Sequence, residues 1–153
     1  MLETYDCFAH FEAGYILVGP GSDWYGKWYP VRPPVRGYKI HITTAYDHAE
    51  TVAQTALSVL RSMRMPHKVV RDGERLRRHL ATAQAGKFIT VYTTGAQQRD
   101  QVVRELDPKM GRIGPPLGPV PTVPISGRRV AEEALGVSRY LFGRSYDEST
   151  ADE

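Results

Sequence analysis

The chain has a single cysteine in 153 residues. Cys7 therefore cannot close an internal disulfide, and without a second thiol there is no cysteine-based zinc site. Its ordinary role is that of a small buried hydrophobe. Five histidines are present, His10, His41, His48, His67 and His79, but none recurs at His-x-x-x-His or comparable spacing on one element, so no metal is indicated. Also lacking is any apolar run near the roughly 20 residues that cross a bilayer. The start, Met1-Leu2-Glu3-Thr4-Tyr5-Asp6, is acidic where a signal peptide is basic, which reads as cytoplasmic with no membrane partner. Neither Gly19-Pro20-Gly21 nor the glycines from Gly111 to Gly118 have the strand-to-helix setting of a nucleotide-binding phosphate loop.

The length bounds the chain to one domain with enough residues for a real core. Hydrophobic residues make up 41% and aromatics 10%, which is a globular composition, while 11 prolines and 14 glycines predict several turns. Net charge is +3, but the stretch Asp147 to Glu153 holds four acids and no base, leaving 20 basic against 13 acidic residues, or +7, in the remainder. A body of that charge favours an anionic partner, with solubility as the plain alternative. Nucleic acid is a poor fit. Trp24, Tyr25, Trp28 and Tyr29 offer stacking surfaces, but the basic residues do not cluster with them and no recognition motif is present.

Residues 1–36 read as an aromatic and Pro-rich arm, with a short strand near Tyr15 to Val18 and an extended exit from Tyr29 to Arg36. Residues 37–143 read as the core, and 144–153 as an acidic, disordered tail. The core opens with a strand over 37–44. Asp47 and Glu50 then suggest a capping box for a helix over 48–64, with Val52, Ala53, Ala56, Leu57, Leu60 and Met63 on its inner face. His67 to Val70 is a short strand. A second helix over 74–84 ends at Gly86, and Lys87 to Thr93 is the clearest strand of the chain. A third helix is predicted over 96–106. Six prolines and four glycines over 107–128 argue a long irregular loop, functional or flexible. The last strand is predicted over Val137 to Phe142. These short, incompletely apolar strands favour an α+β fold, a mixed and mostly antiparallel sheet with about three packed helices, over a parallel α/β sheet.

Side chains alternate along a strand, so Lys39, His41 and Thr43 point one way and Tyr38, Ile40 and Ile42 the other. Two proton-active groups would then stand about 7 Å apart on a rigid element. Such a pair can bind an anion and act on it. The plain alternative is a solvated strand face that carries one lysine and one histidine.

The segments Arg36-Gly37-Tyr38-Lys39-Ile40-His41-Ile42-Thr43, Pro66-His67-Lys68-Val69-Val70, Gly86-Lys87-Phe88-Ile89-Thr90-Val91-Tyr92 and Ser138-Arg139-Tyr140-Leu141-Phe142-Gly143 together resemble a known family. It is the N-terminal lyase domain of class III lanthipeptide synthetases, which is itself similar to the phosphothreonine lyases secreted as bacterial effectors. The resemblance covers roughly residues 24–143. It implies β-elimination of phosphate from phosphoserine or phosphothreonine, leaving a dehydroamino acid, with no metal or cofactor. It implies that Lys68 removes the Cα proton and that His41 protonates the departing phosphate. Lys39 and Tyr92 would border the base and substrate, and Arg139 would bind the phosphate. A neutral lysine is needed for a weakly acidic Cα–H, and crowding by Lys39 and Lys87 would favour it. Arginine suits phosphate because its fork matches two oxygens.

Three departures accompany the resemblance. Thr82 stands where the family pattern has an arginine, so Arg78, one helical turn earlier, is the expected substitute, beside Arg139 and Lys87 among the phosphate ligands. The family's Arg-Tyr-Gly reads Arg139-Tyr140-Leu141-Phe142-Gly143 here. The synthetases also carry kinase and cyclase domains, so the expected partners are a phosphorylated precursor peptide and a separate kinase and cyclase. The alternative is a catalytically altered protein of the lyase fold that binds a peptide or partner enzyme, or acts on a substrate without phosphate.

Overall fold

Gly37–Ile42 forms an interior strand of the sheet, and its alternate residues Tyr38, Ile40 and Ile42, aromatic or β-branched, are all buried. The structure is a computed structural model that describes residues 14–19, 22–29 and 34–147. Its strands are β1 (Ile16–Leu17), β2 (Trp24–Lys27), β3 (Gly37–Ile42), β4 (His67–Val70), β5 (Ile89–Thr93), β6 (Thr122–Ile125), β7 (Arg128–Ala131), β8 (Glu133–Leu135) and β9 (Leu141–Tyr146). The helices are α1 (Ala49–Met63), α2 (Gly73–Leu80) and α3 (Ala96–Gly111), with a 3-10 turn at Tyr46–His48. Seven strands make one sheet in the order β1-β2-β4-β5-β3-β9-β8, and β6 with β7 makes a separate hairpin. Every pairing between the described strands is antiparallel. This is the α+β architecture with three helices that the short strands predict.

Register assigns each side chain to a face, since directly paired residues point the same way. Ile40 opposite Val91, Ile42 opposite Ile89 and Leu141, and Val69 opposite Ile89 build one apolar face. Val52, Ala53, Ala56, Leu57 and Leu60 of α1 and Val102, Leu106 and Met110 of α3 join these residues in one hydrophobic core. His67 belongs to this face too. Its Nδ1–H donates to Met65 O at 2.7 Å, and its Nε2 accepts from Tyr15 Oη at 2.7 Å. A carbonyl can only accept, so these two contacts define the neutral tautomer. Arg61 in turn donates to Tyr15 Oη at 3.3 Å.

Several local expectations differ from what the chain does. Asp47 does not cap α1. It lies in the 3-10 turn, and the N-cap position is His48, with no side-chain cap hydrogen bond. Asp72 does cap α2, accepting from Arg75 N at 2.9 Å. That helix ends at Leu80, and Gly86, at φ 86°, turns the chain after it. α3 continues through Pro108 to Gly111. Pro108 is exposed and supplies no N–H for the bond back to residue 104. Asp107 leaves α3 to accept from the backbone N–H groups of Val137 at 2.8 Å and Ser138 at 3.0 Å. These bonds and the left-handed Arg139, at φ 67°, turn the chain there, so the last strand is Leu141–Tyr146 and not Val137 to Phe142. The Pro/Gly-rich stretch holds the β6–β7 hairpin, since Pro124 sits in a two-stranded ribbon.

Within the segment read as an arm, β2 pairs with β4 and so belongs to the sheet. The expectations for residues 1–13, 20–21, 30–33 and the tail from 148 onward lie outside the described residues. Truncating the core should show its weight. Leu57→Ala removes a fully buried side chain between α1 and the sheet, and the expected cost is about 2–5 kcal/mol. A urea titration should give a lower midpoint at an unchanged slope.

Candidate active site

The second face of the sheet is where Lys39 and His41 point, and it is not solvated. Both are fully buried, as is Thr43. Two transverse rows follow from the register. One runs Gly26, Lys68, Thr90, His41, Phe142 across β2, β4, β5, β3 and β9. The next contains Tyr92, Lys39 and Arg144. Strands lie about 4.8 Å apart, so the Cα atoms of Lys68 and His41, two strands apart, are separated by roughly 10 Å. The rows form a floor with the basic groups at its centre.

Aromatic rings and an overhanging segment cover this floor. Lys39 Nζ lies 5.3 Å from the centroid of the Tyr146 ring and 5.8 Å from that of Tyr92, within range of a cation–π attraction. Trp28 packs edge-on to Tyr92 at 6.2 Å. Its ring lies over Gly26, where an added Cβ would come within 2.7 Å of it, so this strand position must lack a side chain. Lys68 Nζ sits 4.4 Å above the Trp24 ring. On the other side, Thr43 Oγ1 donates to Pro119 O at 2.6 Å. A Cβ on Gly118 would come within 2.4 Å of the Thr44 backbone. Only glycine therefore lets the segment before β6 close onto the end of β3.

Glu132 is the residue that joins these parts. His41 Nδ1–H donates to its Oε1 at 2.7 Å, with both side chains fully buried. Arg144 Nε approaches Oε2 at 3.4 Å. Burial holds the imidazole down to about 4, against the upward pull of Glu132 and with further lowering by the charges of Lys87 and Lys39. The short contact is therefore a hydrogen bond from a neutral ring. Its Nε2 carries the lone pair, is buried and, among the described residues, has no hydrogen-bond partner. Burial likewise pushes the Tyr146 hydroxyl up to about 12, so it is a neutral phenol beside Lys39.

Of the residues expected from sequence, the fold gathers Lys39, His41, Tyr92 and Lys68 on one face, with Lys87 buried and close enough for its charge to act on His41. Arg78 is exposed on α2, where its charge helps lower Asp23, whose carboxyl is held down first by the hydrogen bond from His79. Arg139 is exposed in the turn before β9. Among the described residues neither arginine makes a side-chain hydrogen bond or ion pair. Thr82 is a turn residue. Its Oγ1 donates to His79 O at 3.0 Å and accepts from Gln84 N at 3.1 Å. Glu132 and Arg144 were not foreseen, the first because it follows a stretch read as loop, the second because it falls in the segment read as tail. The alternation Leu141, Gly143, Ser145 against Phe142, Arg144, Tyr146 was the available signal.

Chemically, the arrangement offers four basic side chains around one buried carboxylate and an imidazole with a free lone pair. It suits an anionic ligand that brings its own charge and a group to be protonated. Among the described residues no group of three His, Cys, Asp or Glu side chains is placed to hold a metal ion, and no helix is long and apolar enough to cross a membrane.

Two buried neutral imidazoles make stability depend on pH. His41 and His67 both fall from the ordinary 6.5 to about 4, in each case chiefly through burial. Between those values the unfolded chain binds protons that the folded chain does not, so stability rises with pH. The contribution is complete above about pH 6.5 and is lost as pH falls toward 4, at up to ~1.4 kcal/mol per pH unit for each ring. Urea midpoints measured from pH 7.5 to 4.5 should be flat and then decline. Ring-proton NMR should find both rings neutral at pH 6, and an ordinary titration of His41 near 6.5 would contradict the assignment.

No curated protein matches the chain. The family model described as RamC, N-terminal domain, matches residues 21–118, a span that includes Lys39, His41, Lys68, Lys87 and Tyr92 and ends at the glycine packed against Thr44. With that match over more than half its length, the chain belongs to the RamC N-terminal domain family, a lanthipeptide-synthetase-related domain.

Proposed function

We propose that the chain eliminates phosphate from phosphoserine or phosphothreonine in a peptide, giving a dehydroamino acid, within lanthipeptide-type biosynthesis. The observation that carries this reading is the buried pair His41–Glu132, with the Nε2 of His41, unpartnered among the described residues, on the same face as Lys39, Arg144 and Lys68. Family membership supports the biosynthetic setting.

The steps follow from charge. A phosphate dianion attracted by Lys39, Lys87 and Arg144 offsets the two lysine charges that help keep His41 neutral. Substrate binding thus raises the imidazole's proton affinity, and Nε2 becomes a donor aimed at the ligand. Glu132 holds the opposite nitrogen and stabilises the imidazolium. Lys68, as the neutral amine, takes the Cα proton. The electron pair of that C–H bond forms the Cα=Cβ double bond, the Cβ–O bond breaks, and phosphate departs with the proton from His41. Arg144 takes the phosphate-ligand role first assigned to Arg139, because it is the arginine opposite Lys39 in the register. A kinase activity must supply the phosphopeptide, and a cyclase would consume the dehydrated product.

A second reading, a peptide-binding protein of the same fold that has lost elimination, draws on Thr82, whose hydroxyl is used within a turn. Mass spectrometry separates the two. Incubated phosphopeptide should lose the mass of phosphoric acid, whereas a product with its hydroxyl restored, or no product, would sink the elimination mechanism. Lys68→Ala should abolish turnover and keep phosphopeptide binding. His41→Asn should cost about 10²–10⁴-fold in kcat, the usual contribution of a general acid.

A further inference from the structure

The β6–β7 hairpin stands apart from the main sheet, and its register runs into the site. Val123 opposes Val130 and Ile125 opposes Arg128. The bond from Glu132 N to Pro121 O, at 3.0 Å, continues the same ladder by one pair. Alternation along this extended chain then puts Arg128, Val130 and Glu132 on one side. Glu132 is the carboxylate that holds His41, so the hairpin face of Val123, Ile125, Val130 and Arg128 continues outward from the active site. The other face carries Arg129, which donates to Thr122 O at 2.8 Å and to Ala83 O at 3.4 Å and so ties the hairpin back to the turn after α2. The first face has exposed apolar groups, Ile125 at 52% and Val130 at 42%, and a basic tip.

We propose that this face binds the segment of the substrate peptide next to the phosphorylated residue, selecting an apolar side chain two positions away and a carboxylate four positions away. The proposal rests on the phosphopeptide reading above. The spacing comes from matching one extended chain to another. Both rise about 3.3 Å per residue, so with the phosphorylated residue level with Glu132, the side chains about 7 and 13 Å further on meet Val130 and Arg128. Arg128 favours an acidic residue there, and the valines and isoleucine favour an apolar one nearer the site.

The test uses a fluorescent nine-residue peptide with central phosphothreonine, leucine two positions and aspartate four positions away on both sides. A control peptide has serine for leucine and lysine for aspartate, and an acetylated, amidated Ala-phosphothreonine-Ala serves as the minimal substrate. The flanked peptide should bind, by anisotropy, at least tenfold more tightly than the control. Val130→Ser with Arg128→Glu should remove that advantage while leaving turnover of the minimal substrate unchanged. For Arg128→Glu alone, lysine in place of the peptide aspartate should restore affinity. Thermal melting of each variant monitors folding, and the charge exchange stands independently of it. Equal affinity of the native and doubly substituted proteins for the flanked peptide overturns the proposal. So does a hairpin-dependent dimer in sedimentation without any effect on peptide binding, which would assign the face to a second copy of the chain. Hairpin-dependent binding without any eliminated product would defeat the lyase reading alone.

Discussion

The hydrogen bond from His41 to Glu132 is the constraint on which the rest of the site depends. It spans 91 residues of sequence and joins two side chains with no solvent exposure. A carboxylate withdrawn from water is tolerated only with partners of opposite charge or strong donors. Glu132 has both, the imidazole N–H on one oxygen and Arg144 on the other. That requirement fixes where the chain crosses from the hairpin into β8.

Burial, working against this bond, decides the protonation state of His41. Were His41 a cation at rest, it would stand beside Lys39 and Lys87 inside the protein. Burial removes that conflict by keeping the ring neutral. The imidazole is left oriented, tautomerically defined and, among the described residues, lacking a partner on Nε2. His67, equally buried, has a bond at each nitrogen and is a core residue. Two histidines lowered alike by burial thus differ in the partners their nitrogens have among the described residues.

Much of this was legible in the residues. The period-two pattern of Tyr38 to Thr43 correctly separates Lys39 and His41 from the core side, and the helical spacing of Val52, Ala53, Ala56, Leu57 and Leu60 defines α1 to within a residue at each end. Both signals are local, because they depend only on a backbone period. The reading failed where a distant contact overrides local preference. Asp107 turns the chain at Val137 and Ser138 and moves the last strand downstream, which hides Arg144. Proline and glycine density suggested an unstructured 107–128, but a two-stranded ribbon needs few backbone donors on its outer edges and accommodates Pro124.

By itself the sequence determined the class of fold, the three helices, and the face that Lys39 and His41 share, since apolar periodicity needs no knowledge of neighbours. Tertiary structure alone decided that this face is buried, that Glu132 and Arg144 complete it, and that Arg78 and Arg139 remain on the surface. The placing of Arg144 beside Lys39 depends on antiparallel register between β3 and β9, and that register sums contacts between segments about a hundred residues apart. No local pattern encodes which of two arginines will stand opposite a given lysine.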